Sequence, residues 1–305
     1  CIFLCGFDPV GAMYGVFYLE DRMRDQKLTK ELDVVRKPFF EERSCGAQWV
    51  QKMPKSYSEE NLASWLAHHH FNLYGPIISP EKTNLSDGVA ERYGIQSGQC
   101  VVLPRPTMEF INAHPECVHY DRKGAVEWGP SPTMCFRCEE TQRIFSQWIQ
   151  RIVEENPRLR QITIYFGDFA SICSDTCERC GITPYPQRVI EVMNFLSKEA
   201  RKVNPKVKII GQTWLLHGED EVKQIIENTP QGLGIMMNEP ASAERVDVPG
   251  FGSQDVWLGI YGLDNTYGPL YLKAGELRKR DFYPLMGIGD SCESVDPVVG
   301  MQLPW

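Results

Sequence analysis

The chain has 305 residues, 42% of them hydrophobic and 24% charged, with a formal net charge of −8 at pH 7. That length fits one barrel or two ordinary domains, and the composition is that of a globular protein. The acidic balance speaks against a general nucleic-acid binder or a ligand of anionic membranes, and no apolar run approaches the roughly 20 residues that span a bilayer.

The chain opens at Cys1 inside an apolar run and stops at Leu303-Pro304-Trp305, so both ends read as cut and localisation stays open. Gly6-Phe7-Asp8-Pro9 through Leu19-Glu20 reads as a strand, a Gly/Pro turn and an amphipathic helix continuing to Arg24. Residues 25–38 are charged, lack an apolar period and end at Pro38, which makes them a linker. A new unit opens with a strand over Ser44–Trp49, followed by helical spacing from Glu59 to His70 behind a Ser58 cap. The His68-His69-His70 run at that helix's C-terminus reads as a dipole-favoured end and not as a metal site.

A short strand follows over Phe71–Ile78, then a helix remnant and a strand within Ala90–Leu103. Residues 104–133 are rich in Pro, Gly and polar side chains and read as a long loop, of the kind that builds a site or lid. A helix over 139–155 leads to the most strand-like stretch, Ile162-Thr163-Ile164-Tyr165-Phe166, which is β-branched or aromatic throughout. Gly167 ends it and Asp168 sits just beyond its carboxyl end. Helices over 186–203 and 219–228 and strands over Val207–Thr213 and Gly232–Asn238 continue the alternation. A strand over Asp255–Tyr261, a helix over Leu270–Lys279 and a strand over Phe282–Ile288 complete it.

About seven strands, mostly with a helix between neighbours, predict an α/β chain: a (β/α)8 barrel whose last unit is cut off. The predicted organisation is the end of a small α/β domain plus linker over 1–38 and an incomplete barrel over 39–305. A doubly wound open sheet is the runner-up, but no Gly-x-Gly-x-x-Gly follows a strand and no phosphate loop is present.

In such folds ligands bind at the carboxyl ends of the strands. Those ends carry Gln48 and Trp49, Asp168, then Gln212, Thr213 and Trp214. Further along come Asn238 and Glu239, then Tyr261, Asp264 and Asn265, and finally Asp290 and Glu293. Aromatic faces stack on the apolar faces of sugars while amides and carboxylates bond the hydroxyls, and a facing carboxylate pair does acid–base work on a glycosidic bond. Asp168, Glu239, Asp290 and Glu293 are therefore the catalytic candidates. Gln48, Trp49, Trp214, Asn238, Tyr261 and Asn265 are the substrate-binding ones, for a carbohydrate partner. Nothing in the sequence speaks to oligomeric state.

Two stretches carry a family resemblance. The segment from Gly6-Phe7-Asp8-Pro9 to Tyr14-Gly15-Val16 resembles the last helix of the small α/β domain that precedes the barrel in α-glucuronidases and family 20 β-hexosaminidases. Residues 130–180 resemble the fourth βα unit of the same group. Cys173, Cys177 and Cys180 resemble the Cys-rich turn of bacterial glycosidase-like proteins, which include family 163 endo-β-N-acetylglucosaminidases. The resemblance implies a glycoside hydrolase. It also marks a departure, since family 20 enzymes carry adjacent Asp-Glu after strand four, whereas Asp168 is followed by Phe169. The partner of Asp168 must then come from another strand end, with Glu239 first.

The sequence holds 11 cysteines, scattered and not framed like a small disulfide scaffold. Strand-embedded Cys100 reads as a small buried hydrophobe. Cys135-Phe136-Arg137-Cys138 and the Cys173, Cys177, Cys180 trio follow or precede strand four, and their loops can meet at the upper rim. A structural zinc, a disulfide and free thiols all remain open there, and no other cofactor is expected. Two rivals to a hydrolase stand beside it: a non-catalytic sugar-binding barrel and a thiol- or metal-dependent enzyme using the cysteines.

Overall fold

The computed structural model of the chain describes residues 5–26, 35, 42–46, 58–68, 70–74, 87–121, 131–165, 172–173, 177–212, 219–230, 232–237, 255–261 and 285–289. Its strands are β1 (Glu42–Gly46), β2 (Leu73–Tyr74), β3 (Gln96–Val102), β4 (Val118–Asp121), β5 (Ser131–Met134) and β6 (Leu159–Tyr165). They continue with β7 (Lys208–Gln212), β8 (Leu233–Met237), β9 (Asp255–Tyr261) and β10 (Leu285–Gly289). Eight of them close into a ring in the order β1-β10-β9-β8-β7-β6-β3-β2, and β4 and β5 form a separate hairpin. Every pairing in the ring is parallel. Each ring strand corresponds to one of the strands expected from Ser44 onward, which the count of about seven understates. Residues 285–289 supply the strand that pairs back onto the first, and the helix expected over 270–279 lies outside the described residues, as does the incomplete last unit.

Closure around parallel strands buries both strand faces, which is why β6 reads as an unbroken run and not as an alternation. Val101, Ile162, Ile164 and Ile209 share one face and join a single apolar cluster with Phe145, Ile149, Val189 and Leu196. Those last four come from α5 (Glu139–Glu155) and α6 (Tyr185–Val203), the helices flanking β6 in sequence. Cys100, Thr163 and Ile210 stand in register on the other face and are buried as well. Fully burying a side chain such as Ile149 or Leu196 stabilises by about 1.5–3 kcal/mol.

Near the start, α1 (Pro9–Arg24) begins with the Asp8 carboxylate accepting from the Gly11 N–H at 2.7 Å, with Pro9 in its first turn. It lies against α2 (Glu59–His68), the helix whose Ser58 cap accepts from the Asn61 N–H. The Phe17 ring is 4.8 Å from that of His68, and Tyr14 is 4.7 Å from His70. His68 Nε2 lies 2.8 Å from Asp21 Oδ1. These two histidines hold α1, a role the dipole reading of the triplet does not contain. Between α3 (Asp87–Arg92) and β3, Gly94 has φ +63° and faces Val10 so closely that a Cβ would collide with it.

The long loop expected over 104–133 is not one. It holds α4 (Met108–Ala113), capped by Thr107 accepting from the Phe110 N–H, a 3-10 turn over Pro115–Cys117, and the β4–β5 hairpin. Strands of four residues with Pro132 inside one of them are too short to show a period. A further helix, α7 (Glu219–Asn228), follows β7.

Candidate functional site

Because all eight strands run the same way, their carboxyl ends lie on one side of the ring. β6 ends at Tyr165, three residues before Asp168, and β8 ends at Met237, two residues before Glu239. β10 ends at Gly289, immediately before Asp290. Tyr261 is the last residue of β9, in register with Gly289. Asp168, Glu239, Asp290, Glu293, Gln48, Trp49, Trp214, Asn238 and Asn265 themselves lie outside the described residues. The ring order separates β6 from β8 by β7 alone, and sets β10 four places from β6, at the far side of an eight-membered ring.

On the same side of the ring, the segments following β3 and β6 converge through their cysteines. The hairpin brings Cys135 up beside Cys117, whose carbonyl accepts from the Cys135 N–H at 2.8 Å. Cys135 Sγ lies 3.3 Å from Cys180 Sγ and 3.6 Å from Cys177 Sγ. Cys173 is in hydrogen-bonding contact with both Cys135 and Cys180, and Cys177 with Cys180. The four thiols are 2% exposed or less. His119 brings a ring nitrogen into the same group, within 4.8 Å of the sulfurs of Cys135, Cys173 and Cys177.

Of the five cysteines singled out from sequence, Cys138 does not belong to this group. It forms a disulfide with Cys117. Cys138 is the N-cap residue of α5, and the turn that carries it points it to Cys117 instead of the trio. Cys117 and His119 were not singled out, although a signal exists. In an antiparallel pair residues two apart share a face, so Cys117, His119, Thr133 and Cys135 line one face of the hairpin.

Charge is distributed unevenly across the cluster. Cys180 is held well below the ordinary thiol range, because Cys135 and Cys173 donate to its sulfur and the Arg137 backbone N–H and Cys177 add to this against the cost of burial. Cys173 is pushed far up, chiefly by its bonds to Cys135 and Cys180. Cys135 is pushed up too: donation from Cys173 pulls it down, but its bond to Cys180, burial and repulsion prevail. Arginines back the cluster, with Arg188 donating to the Cys173 carbonyl at 3.0 Å and Arg137 to the Arg179 carbonyl at 2.8 Å. Arg137 is itself fixed by Glu191 at 3.0 Å.

No family model matches the chain, and no curated protein matches it. Among solved structures it is similar to an exo-β-N-acetylglucosaminidase of glycoside hydrolase family 20 from Vibrio harveyi, with a TM-score of 0.55 and 14% identity over 93% of this chain. It is also similar to a family 89 glycoside hydrolase from Clostridium perfringens in complex with PUGNAc, with a TM-score of 0.60 and 10% identity over 95% of this chain. The same Clostridium enzyme in complex with GlcNAc-α-1,4-galactose gives a TM-score of 0.55 and 9% identity over 85% of this chain. The chain spans 56% of the Vibrio protein, and 41% and 36% of the Clostridium chains in the two complexes. At such identities the likeness is one of fold alone.

Proposed function

We propose that the chain is a glycosidase: a (β/α)8-type barrel that hydrolyses an O-glycosidic bond in an oligo- or polysaccharide with two carboxylates from different strand ends. The observation that carries this reading is the likeness of nearly the whole chain to glycoside hydrolases of two families, together with a parallel ring whose carboxyl ends precede the candidate residues. Asp168 is the general acid that gives its proton to the leaving glycosidic oxygen. Glu239 is the partner that takes a proton from water attacking the anomeric carbon. Neighbouring strands lie about 4.8 Å apart, so β6 and β8, two places apart, have ends separated by roughly 10 Å of backbone. That spacing suits the roughly 6.5–9.5 Å between carboxyls of an inverting enzyme. Asp290 and Glu293, following the strand opposite β6, are the less suitable partners. Trp49, Trp214 and Tyr261 would supply stacking faces, and Gln48, Asn238 and Asn265 hydrogen bonds to hydroxyls.

Both similar enzymes act on or bind N-acetylglucosamine-type compounds, so N-acetylhexosaminides are the first substrates to test. Aryl glycosides and N-glycans make up the panel, with the product anomer followed by NMR. Asp168→Asn should cut turnover by about 10²-fold or more with an unchanged melting temperature. Near-full activity in that variant would make Asp168 a structural cap. Sugar binding without turnover by the unaltered chain would point to a non-catalytic barrel.

A further inference from the structure

We infer that Cys135, Cys173, Cys177 and Cys180 form a structural zinc site that ties the segments following β3 and β6 together. The inference stands apart from the glycosidase reading, since it concerns four buried thiols outside the candidate carboxylates and sugar-binding residues.

The geometry distinguishes zinc from disulfides. Thiolates bind zinc at about 2.3 Å, so sulfurs at the corners of a tetrahedron around it lie about 3.8 Å apart. Sulfurs joined in a disulfide lie about 2.05 Å apart. The separations of 3.3 Å and 3.6 Å from Cys135 to Cys180 and Cys177 fall near the tetrahedral edge. Nor is this one close pair, because each of the four sulfurs is near all the others, as four corners of one tetrahedron must be and as two separate disulfides need not be. The backbone is also committed to the arrangement: Cys173 has φ +69°, a conformation that L residues rarely adopt. Such a conformation persists only where its surroundings over-determine it, and the buried Arg188 holds the Cys173 carbonyl in place.

Binding would displace the thiol protons and leave a centre of four thiolates around Zn²⁺, of charge −2. The Arg137 N–H on Cys180, and the guanidiniums of Arg188 and Arg137 held nearby on the Cys173 and Arg179 carbonyls, supply what such a centre needs in its outer shell. His119 stands beside three of the sulfurs as a fifth donor. Structural zinc is four-coordinate; the fourth position is assigned to Cys180, which meets Cys135 at 3.3 Å and also contacts Cys173 and Cys177, with His119 as the competing donor. The Cys117–Cys138 disulfide next to it is a separate brace.

The test is made on the whole chain, purified from zinc-replete cells without chelator. Plasma mass spectrometry should find one zinc per chain. Exchange for cobalt should give the intense visible bands of a tetrahedral thiolate site, and alkylation after unfolding and chelation should label all four cysteines. Cys180→Ser should lose the metal and His119→Ala should keep it. Absence of metal from the unaltered protein would overturn the inference, whether the sulfurs are then found as disulfides or as free thiols. So would retention of zinc by Cys180→Ser together with its loss from His119→Ala, which would replace the four-thiolate set by three thiolates and a histidine. Because metal content is the readout, a failed search for glycosidase activity leaves this result intact.

Discussion

Glu199 offers the most direct test of how the two cysteine-bearing segments are seated. It lies on α6 and is 5% exposed, yet its Oε2 accepts from Ser146 Oγ at 2.6 Å and Gln150 Nε2 at 2.8 Å, both on α5, and from Lys202 Nζ at 2.7 Å. The two helices begin where the two segments end, after Cys138 and after Pro184, so a network between them fixes both. Burial works against ionisation of Glu199, but the bonds from Lys202, Ser146 and Gln150 and the Lys202 charge win, and the carboxyl is held below its ordinary range. Glu199→Gln keeps the size, removes the charge and leaves one accepting oxygen, with an NH2 facing donors in place of the other. Hydrogen bonds to a charged group are worth about 1.5–3 kcal/mol, so the variant should lose about that much at pH 7. Lys202 is half exposed, and Lys202→Met should cost under about 1 kcal/mol. The sign with pH follows from the depressed folded pKa. The contribution is complete above the unfolded carboxyl value of about 4.3, and it disappears as pH falls through the lower folded value. Urea midpoints for wild type and Glu199→Gln, measured in steps from pH 7 to pH 3, should therefore converge in the acid range. A neutral-pH gap under about 0.5 kcal/mol, or a gap that stays constant down to pH 3, would refute the reasoning.

Two further outcomes follow from packing. Gly94→Ala places a methyl against Val10 at a positive φ, and should lower stability by about 1–3 kcal/mol. Release of the segment before residue 27 by mild proteolysis in that variant, but not in the wild type, would show that α1 is docked through this contact. Cys100 is buried within the ring and its thiol is pushed up to about 12 by burial. It should therefore resist alkylation in the native protein at pH 8 and react only on unfolding, and labelling at the rate of a free thiol would contradict its placement.

Part of the ring was legible because burial on both faces leaves a trace: β6 carries Ile162-Thr163-Ile164-Tyr165, and shorter apolar pairs mark β3 at Val101-Val102 and β7 at Ile209-Ile210. The parallel direction followed from helices intervening between them, and the observed pairing of Gln161–Ile164 with Lys208–Gly211 is parallel. What escaped was short or depended on contacts distant in sequence. β2 was expected as a short strand over Phe71–Ile78, and only Leu73–Tyr74 of it pair, so its extent, not its existence, went unread. The hairpin hid because Val118–Asp121 and Ser131–Met134 are brief and polar, and each is stabilised chiefly by the other. The carboxylates were nominated by their place after strand ends; they lie outside the described residues, and the ring order shows only that β8 is nearer to β6 than β10 is.

The cysteines show why spacing alone misleads. A Cys-x-x-Cys invites the reading that both sulfurs share one ligand set, yet the tight turn from Cys135 to Cys138, closed by the Cys138 N–H on the Cys135 carbonyl, sends the two sulfurs to different partners. Cys135 joins the trio after β6, and Cys138 joins Cys117. The consequence reaches the proposed acid. Asp168 lies between Tyr165, where β6 ends, and Ile172 and Cys173, both buried. The segment that carries it is therefore held at one end by the sheet and at the other by the sulfur cluster.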